Sequence, residues 1–193
     1  MQINHNLPPL QTGPTVWRGP EMAVCENEWL IHLSPAEIAE LETAAEPLVT
    51  AESNIGLMKQ SGFPLPTLGP KLAALREELI RGRGFALLRG LPVANYTERE
   101  AATIFYGLGN HLGHARSQNA KGHVLGHVTD LGVDSKDPNV RIYQTKERQS
   151  FHTDSCDVVG LLCLQPARKG GLSLLVSADT LYNEIHQRRP DLL

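Results

Sequence analysis

The sequence predicts an α+β fold in which helices occupy the first part of the chain and short strands the second. Capping boxes at Ser34 and Thr97 open two segments whose apolar residues recur at helical spacing. Between residues 124 and 177 the pattern changes to short apolar or alternating runs, separated by loops with Gly and Pro. These strands are too few to close a double-sheet barrel. We therefore expect an incomplete barrel, the front part of a larger domain.

Composition narrows the class of protein. The 193 residues carry a net charge of −3, with 20% charged and 41% hydrophobic residues. This balance is typical of a globular chain and gives no basic face for nucleic acid. No apolar run approaches the ~20 residues of a membrane span, and the first residues have neither the basic start nor the apolar stretch of a secretory signal. Three scattered cysteines do not form a disulfide framework. We expect a soluble, cytoplasmic protein.

The sequence predicts two regions. Residues 1–33 contain several prolines and two tryptophans, which indicates an extended N-terminal arm packed against the rest of the chain. Residues 34–193 are expected to form the N-terminal part of one larger domain. Its predicted helices run from Ser34 to a stop at Pro47, from Pro70 to Arg81, from Thr97 to Gly107 or Gly109, and from Ala178 to about Arg189. Its predicted strands are 85–90, 124–128, 140–145, 158–164 and 172–177.

The segment with recognisable chemistry is Phe151-His152-Thr153-Asp154. An imidazole and a carboxylate two residues apart at the mouth of a strand project to the same side of the backbone. They could supply two of the three ligands of a 2-His-1-carboxylate site, a donor set that suits ferrous iron better than structural zinc. The alternative is a hydrogen-bonded pair at a strand end that binds no metal.

The surrounding motifs resemble the taurine dioxygenase (TauD/TfdA-like) family. The resemblance rests on residues 149–164, on Lys169-Gly170-Gly171-Leu172-Ser173 and on Val176-Ser177, and more weakly on 84–90. It implies a jelly-roll double-stranded β-helix with N-terminal helices packed on the sheet. It also implies Fe(II) held by His152 and Asp154, 2-oxoglutarate as cosubstrate near Ser173, and dioxygen. The implied reaction oxidises a C–H bond of a small organic substrate.

One departure from the family pattern concerns the distal ligands. The second iron-binding His and the Arg that pairs with 2-oxoglutarate normally lie on later strands, so we expect the chain to end before both. His186 follows Asp154 but falls in the last predicted helix, so we do not assign it as a ligand.

Other histidines and polar residues carry weaker signals. His111 with His114, and His123 with His127, have spacings that suit a metal only on a helix, which nearby glycines oppose. His127 could line a substrate pocket, as could Tyr143 and Gln144. The run 81–84 lacks the Gly-Lys-Ser/Thr of a phosphate loop.

Three functions therefore remain open. The first is a dioxygenase acting on a small organic molecule. The second is a catalytically inactive fragment or homologue that acts as a binding or regulatory module, and the third is a metal-independent sugar-binding or storage barrel. An incomplete barrel would also leave an exposed sheet edge, so we expect poor solubility or self-association through it.

Overall fold

The regular structure is concentrated in the first 112 residues. The computed structural model describes residues 7–118 and 122–193. The helices are α1 Gly19–Val24, α2 Glu26–Trp29, α3 Pro35–Thr50, α4 Leu68–Arg81, α5 Glu98–Leu112 and α6 Ala178–Arg188. The strands are β1 Leu30–His32 and β2 Leu87–Arg89. Single 3₁₀ turns lie at Ile55–Leu57, Gln60–Gly62, Val93–Asn95, Ile142–Gln144 and Pro190–Leu192.

Strands β1 and β2 form a small parallel sheet. Their register places Leu30 opposite Leu87 and His32 opposite Arg89. The main-chain N–H of Leu33 then donates to the carbonyl of Arg89 at 2.8 Å, which extends the pairing by one residue. Strand β2 lies inside the early strand that the sequence predicts, so that part of the prediction is confirmed.

The hydrophobic core lies among helices α3, α4 and α5 and the loop that joins α3 to α4. Leu41 and Phe63 are fully buried, and Ile104 of α5 is 1% exposed. Burying apolar side chains in this way is the main favourable term in folding. The core consists of Leu33, Leu41, Ala44, Ala45, Phe63, Leu65, Leu68, Leu72, Leu75 and Ile104.

The predicted capping boxes are confirmed. The Ser34 hydroxyl accepts from the Glu37 N–H, and the Thr97 hydroxyl accepts from the Glu100 N–H. Helix α4 begins differently, because its N-terminal amides at Thr67 and Leu68 donate to the carboxylate of Glu40 from helix α3, at 2.6 and 2.9 Å. A carboxylate at a helix N-terminus also interacts favourably with the helix dipole. Helix α3 thereby fixes where α4 begins.

Two predicted helix ends are wrong. Helix α3 continues through Pro47 and loses one hydrogen bond there, because proline has no N–H to donate. The carbonyl of Pro47 still accepts from the Ala51 N–H at 3.1 Å. Helix α5 continues through Gly107 and Gly109 to Leu112, so His111 is helical. A glycine in a helix costs only about 1 kcal/mol, which the packing of α5 against α3 and α4 offsets.

The four later strands are not found. Residues 124–128, 140–145, 158–164 and 172–177 contain no strand, and the chain from 140 to 145 holds a 3₁₀ turn instead. A strand needs a neighbour to satisfy its backbone hydrogen bonds and to cover its apolar face, and these runs are not paired with one another. The fold is therefore mixed helix and sheet, and the described residues do not form the expected incomplete jelly roll. Apolar side chains of this region are exposed, among them Phe151, Leu161, Leu172, Leu174 and Leu175.

The N-terminal arm is extended over a shorter length than the sequence suggests. Residues 7–18 contain no helix or strand, whereas α1, α2 and β1 lie between 19 and 32. Both tryptophans pack as expected, with the rings of Trp17 and Trp29 centred 5.0 and 5.8 Å from the ring of Phe85. Among the described residues, no helix is both long and apolar enough to cross a bilayer.

Candidate functional site

The predicted site residues lie on an irregular segment between helices α5 and α6. His152 and Asp154 are both exposed, and Ser173 is exposed four residues before the buried Ser177 that caps α6. The segment contacts the helical part at a few points. One of them is Gly160, where a Cβ atom would lie 3.3 Å from the Phe105 ring of α5. Helix α5 therefore supports the chain a few residues beyond the His-x-Asp motif.

The imidazole of His152 has a defined hydrogen-bond partner. Its Nδ1 lies 2.8 Å from the main-chain oxygen of Ser150. A carbonyl oxygen can only accept, so Nδ1 donates this bond, and Nε2 is the ring nitrogen left to bind a metal. Metal-binding histidines commonly hold their second nitrogen in this way, which fixes the tautomer and raises the basicity of the ligand atom. The geometry around His152 is thus compatible with a metal bound at Nε2.

The donor set fits a metal only in part. His152 and Asp154 supply an imidazole and a carboxylate, the donor types of a non-haem iron site. Within residues 7–118 and 122–193, no group of three or more His, Cys, Asp or Glu side chains is arranged to hold a metal ion. A facial site needs a third protein ligand, which the described residues do not bring to this position.

The glycine-rich turn before Ser173 has an unusual backbone. Gly170 and Gly171 both adopt positive φ angles, of 75° and 70°, which other L-residues rarely adopt. A Cβ at Gly171 would also lie 2.6 Å from the Cβ of Ala167. The turn therefore needs glycine at these positions, and it directs the chain through Ser173 towards helix α6.

The buried histidine has a structural role. His111 is 8% exposed, and its Nε2 lies 2.8 Å from the carbonyl of Phe63. Its Nδ1 lies 3.2 Å from the side-chain amide nitrogen of Gln60. Both ring nitrogens are thus engaged by the loop between α3 and α4, and His114 lies beyond the end of the same helix.

His127 and His186 stand apart from the His-x-Asp motif. His127 is exposed and pairs with Glu98 at 3.5 Å, and it lies on irregular chain, not on the expected strand. His186 lies on helix α6, as the sequence predicts, with its ring 5.7 Å from that of Tyr182. Neither histidine forms part of a three-ligand cluster among the described residues.

Tyr143 and Gln144 lie in a 3₁₀ turn that runs beside residues 129–131. The Thr129 and Leu131 N–H groups donate to the carbonyls of Tyr143 and Gln144 at 3.2 and 2.9 Å. A shallow pocket of about 190 Å³ borders this turn. It is lined by residues of 130–135 and 145–147 and not by the His-x-Asp motif. The pocket-lining role of Tyr143 and Gln144 stays a prediction.

Sequence reasoning did not identify Ser150 as part of the site. Its contribution is a main-chain oxygen, which any residue could supply, so no residue type marks it. The spacing of His152 two residues later is the one signal that could have suggested it, because a ring can bond back to a carbonyl at i−2.

Comparison with known proteins identifies the family. The chain belongs to the taurine catabolism dioxygenase TauD, TfdA family, whose model matches residues 44–193. The resemblance inferred from the motifs is thereby confirmed.

Two curated relatives match over most of the chain. It is 33% identical over 175 residues to the taurine hydroxylase-like protein SAT17 of Stachybotrys chartarum, a match that covers 87% of this chain and 46% of the relative. It is also 33% identical over 185 residues to FR-33289 synthase of Streptomyces rubellomurinus, with 94% and 54% covered. The chain thus spans about half the length of these relatives.

Proposed function

We propose that this chain is part of a non-haem Fe(II)- and 2-oxoglutarate-dependent dioxygenase. The protein would oxidise a C–H bond of a small organic substrate in the cytoplasm. His152 and Asp154 would hold the iron, and Ser173 would lie near 2-oxoglutarate. Family membership over residues 44–193 supports the reaction class.

The observation that carries the proposal is the hydrogen bond from His152 Nδ1 to the Ser150 carbonyl. It leaves Nε2 as the ligand atom, two residues before a carboxylate that is also exposed. A carboxylate beside the imidazole would offset part of the charge of a divalent cation.

When bound, the iron would supply the activation of dioxygen and the oxidising power, which no side chain provides. The chain's own residues would bind and orient. His152 would donate its Nε2 lone pair, Asp154 would supply an anionic oxygen, and the turn at Gly170 and Gly171 would place Ser173. The remaining ligand and the arginine partner of 2-oxoglutarate are not assigned to any described residue.

Succinate formation tests the proposed reaction class. The full chain, loaded with Fe(II) and supplied with 2-oxoglutarate, dioxygen and a panel of small organic substrates, is assayed for succinate against a metal-free blank, and release above that blank supports the dioxygenase. His152→Ala and Asp154→Asn should abolish the release, whereas His186→Ala, a change to a histidine on helix α6, should not. Succinate release that survives His152→Ala would contradict the proposed ligands.

A non-catalytic binding module is the second candidate. It is favoured by the lack of a three-ligand cluster within residues 7–118 and 122–193. In that case the chain would bind Fe(II) or Co(II) through His152 and Asp154 without releasing succinate from 2-oxoglutarate. Metal titration and the succinate assay on the same preparation separate the two functions.

We also propose that the chain self-associates. Leu172 is 86% exposed and Leu161 is 75% exposed, and large apolar side chains left in water promote association. Sedimentation velocity should show the mean mass rising with concentration, and Leu172→Ser should reduce the rise. A monomer at all concentrations would contradict this proposal.

A further inference from the structure

We propose that helix α6 is a docking surface for an extended polypeptide, which it recognises through main-chain atoms, and that residues 8–18 of the same chain occupy it as a strap. The proposal concerns the arm and α6 alone and does not depend on the proposed function. The arm and the helix lie more than 160 residues apart in sequence, so their contacts are wholly tertiary.

The contact at Asn183 is the most specific sign of main-chain recognition. Its side-chain oxygen accepts from the Gln11 main-chain N–H at 2.8 Å, and its side-chain nitrogen donates to the Gln11 carbonyl at 2.9 Å. One amide group therefore satisfies both backbone polar groups of a single extended residue. Any residue except proline at position 11 could make this pair.

Three hydroxyl groups extend the same pattern. Ser177 donates to the Thr15 carbonyl at 2.5 Å, and Thr180 donates to the Trp17 carbonyl at 2.9 Å. The Tyr182 hydroxyl donates to the carbonyl of Pro8 at 2.5 Å. Backbone carbonyls at four arm positions are thus bound by side chains of α6 or its N-cap.

Two side-chain contacts set the register of the arm. The Thr15 hydroxyl donates to the carboxylate of Asp179, and the Arg18 guanidinium pairs with Glu184. The arm passes along one face of the helix at Ser177, Thr180 and Glu184, and along the adjacent face at Asp179 and Asn183. Contact with two faces indicates that the arm wraps around α6.

The helix has few other attachments. None of the residues Ala178–Arg188 is buried, although the N-cap Ser177 is 5% exposed. Helix α6 therefore gains little stabilisation from the hydrophobic core, and an amphipathic helix of this length is marginal alone. The polar contacts with the strap therefore hold helix α6 in place.

Hydrogen exchange on the full chain tests the proposal through a matched pair at position 11. Gln11→Pro removes the N–H that Asn183 binds, whereas Gln11→Ala keeps it. We expect Asn183→Ala to increase exchange of the α6 amides at least about tenfold, for the loss of two hydrogen bonds, and Gln11→Pro to increase it about fivefold, for the loss of one, with the amides of α3 unchanged. Gln11→Ala and Gln187→Ala, a change to an exposed residue of the same helix, should leave α6 unchanged.

Three results would overturn the proposal. An equal increase in the exchange of the α6 amides in Gln11→Ala and Gln11→Pro would mean that helix α6 recognises the side chain of Gln11. Unchanged exchange in Asn183→Ala would mean that the main-chain pair does not hold the arm. Protection of α6 that increases with protein concentration would mean that the arm of a second copy occupies the helix.

Discussion

Gly107 of helix α5 lies directly against the ring of Phe63. A Cβ atom at position 107 would lie 2.5–2.6 Å from three carbons of that ring, closer than any real contact. Phe63 is fully buried, so its ring has no free space into which to move. The sequence suggests Gly107 as a helix end. The glycine instead leaves space beside the helix backbone for Phe63, the largest fully buried side chain of the described core.

Replacing Gly107 by alanine should therefore destabilise the protein. Overpacking a close-packed core costs about 1–3 kcal/mol, which exceeds the gain of about 1 kcal/mol in helix propensity. Gly109→Ala is the matched control, because it lies two residues away in the same helix with nothing within 4 Å of its Cβ. Chemical denaturation should show a lower free energy of unfolding for Gly107→Ala and a higher one for Gly109→Ala. A stabilising Gly107→Ala would contradict the packing described.

The buried Glu37 should make stability depend on acid pH. Its carboxylate accepts hydrogen bonds from Lys71, at 2.5 Å, and from the N–H and hydroxyl of Ser34. The bond from Lys71, followed by those from Ser34, lowers the pKa of Glu37 to about 2. Because the pKa in the folded state lies below the unfolded value of about 4.3, the contribution is complete above that value and is lost as the pH falls towards 2. We expect a loss on the order of 2 kcal/mol, since water reaches the Lys71 ammonium.

The measurement is the free energy of unfolding between pH 5 and about pH 2. Glu37→Gln should flatten this part of the profile, whereas Glu46→Gln, at an exposed position of the same helix, should leave its slope unchanged. A wild-type slope that survives in Glu37→Gln would assign the acid sensitivity to other carboxylates.

Arg99 should stabilise the C-terminal end of helix α3. Its guanidinium donates to the carbonyls of Leu48 and Val49, each at 3.3 Å, and to the carbonyl of Ser53 at 2.9 Å. The carbonyls of Leu48 and Val49 also accept from the main-chain N–H groups of Ser53 and Glu52, at 3.0 and 3.1 Å, so Arg99 of α5 is a second, charged donor that fastens the turn after α3. We expect Arg99→Ala to lower the free energy of unfolding by about 2 kcal/mol.

A lysine at position 99 should restore only part of that loss, because a single ammonium cannot reach three carbonyls in a fixed fork. Arg76→Ala serves as the control, since Arg76 is half-exposed and its nearest carboxylate, on Glu77, is 3.7 Å away. Equal stability of the Arg99→Ala and Arg76→Ala variants would show that the contacts at the end of α3 contribute little.

The helices could be predicted because their signals are local. Ser34 and Thr97 reach amides three residues away, so the sequence around each cap contains the whole interaction. The ends at Pro47 and Gly107 could not be predicted, since they depend on packing against other elements. Strands depend on partners far along the chain, and the alternating runs after residue 124 carry the pattern of a strand without the neighbours that would complete it.

In the candidate site, too, the local features could be predicted from the sequence and the tertiary ones could not. The spacing of His152 and Asp154 is visible in the sequence, and so is the glycine turn before Ser173. The bond from His152 to the Ser150 main chain carries no residue signature, and a third ligand would depend on tertiary structure. The strap on α6 was foreseen only as an arm that must pack, because its contacts go mostly to backbone carbonyls.

The most direct test of the central claim is the affinity of the full chain for Co(II), a substitute for Fe(II) that is stable in air, measured by calorimetric titration. If His152 and Asp154 bind the metal, His152→Ala and Asp154→Asn should each weaken the affinity at least about tenfold, while His186→Ala leaves it unchanged. Unchanged affinity in His152→Ala, or an equal loss in His186→Ala, would contradict the assignment.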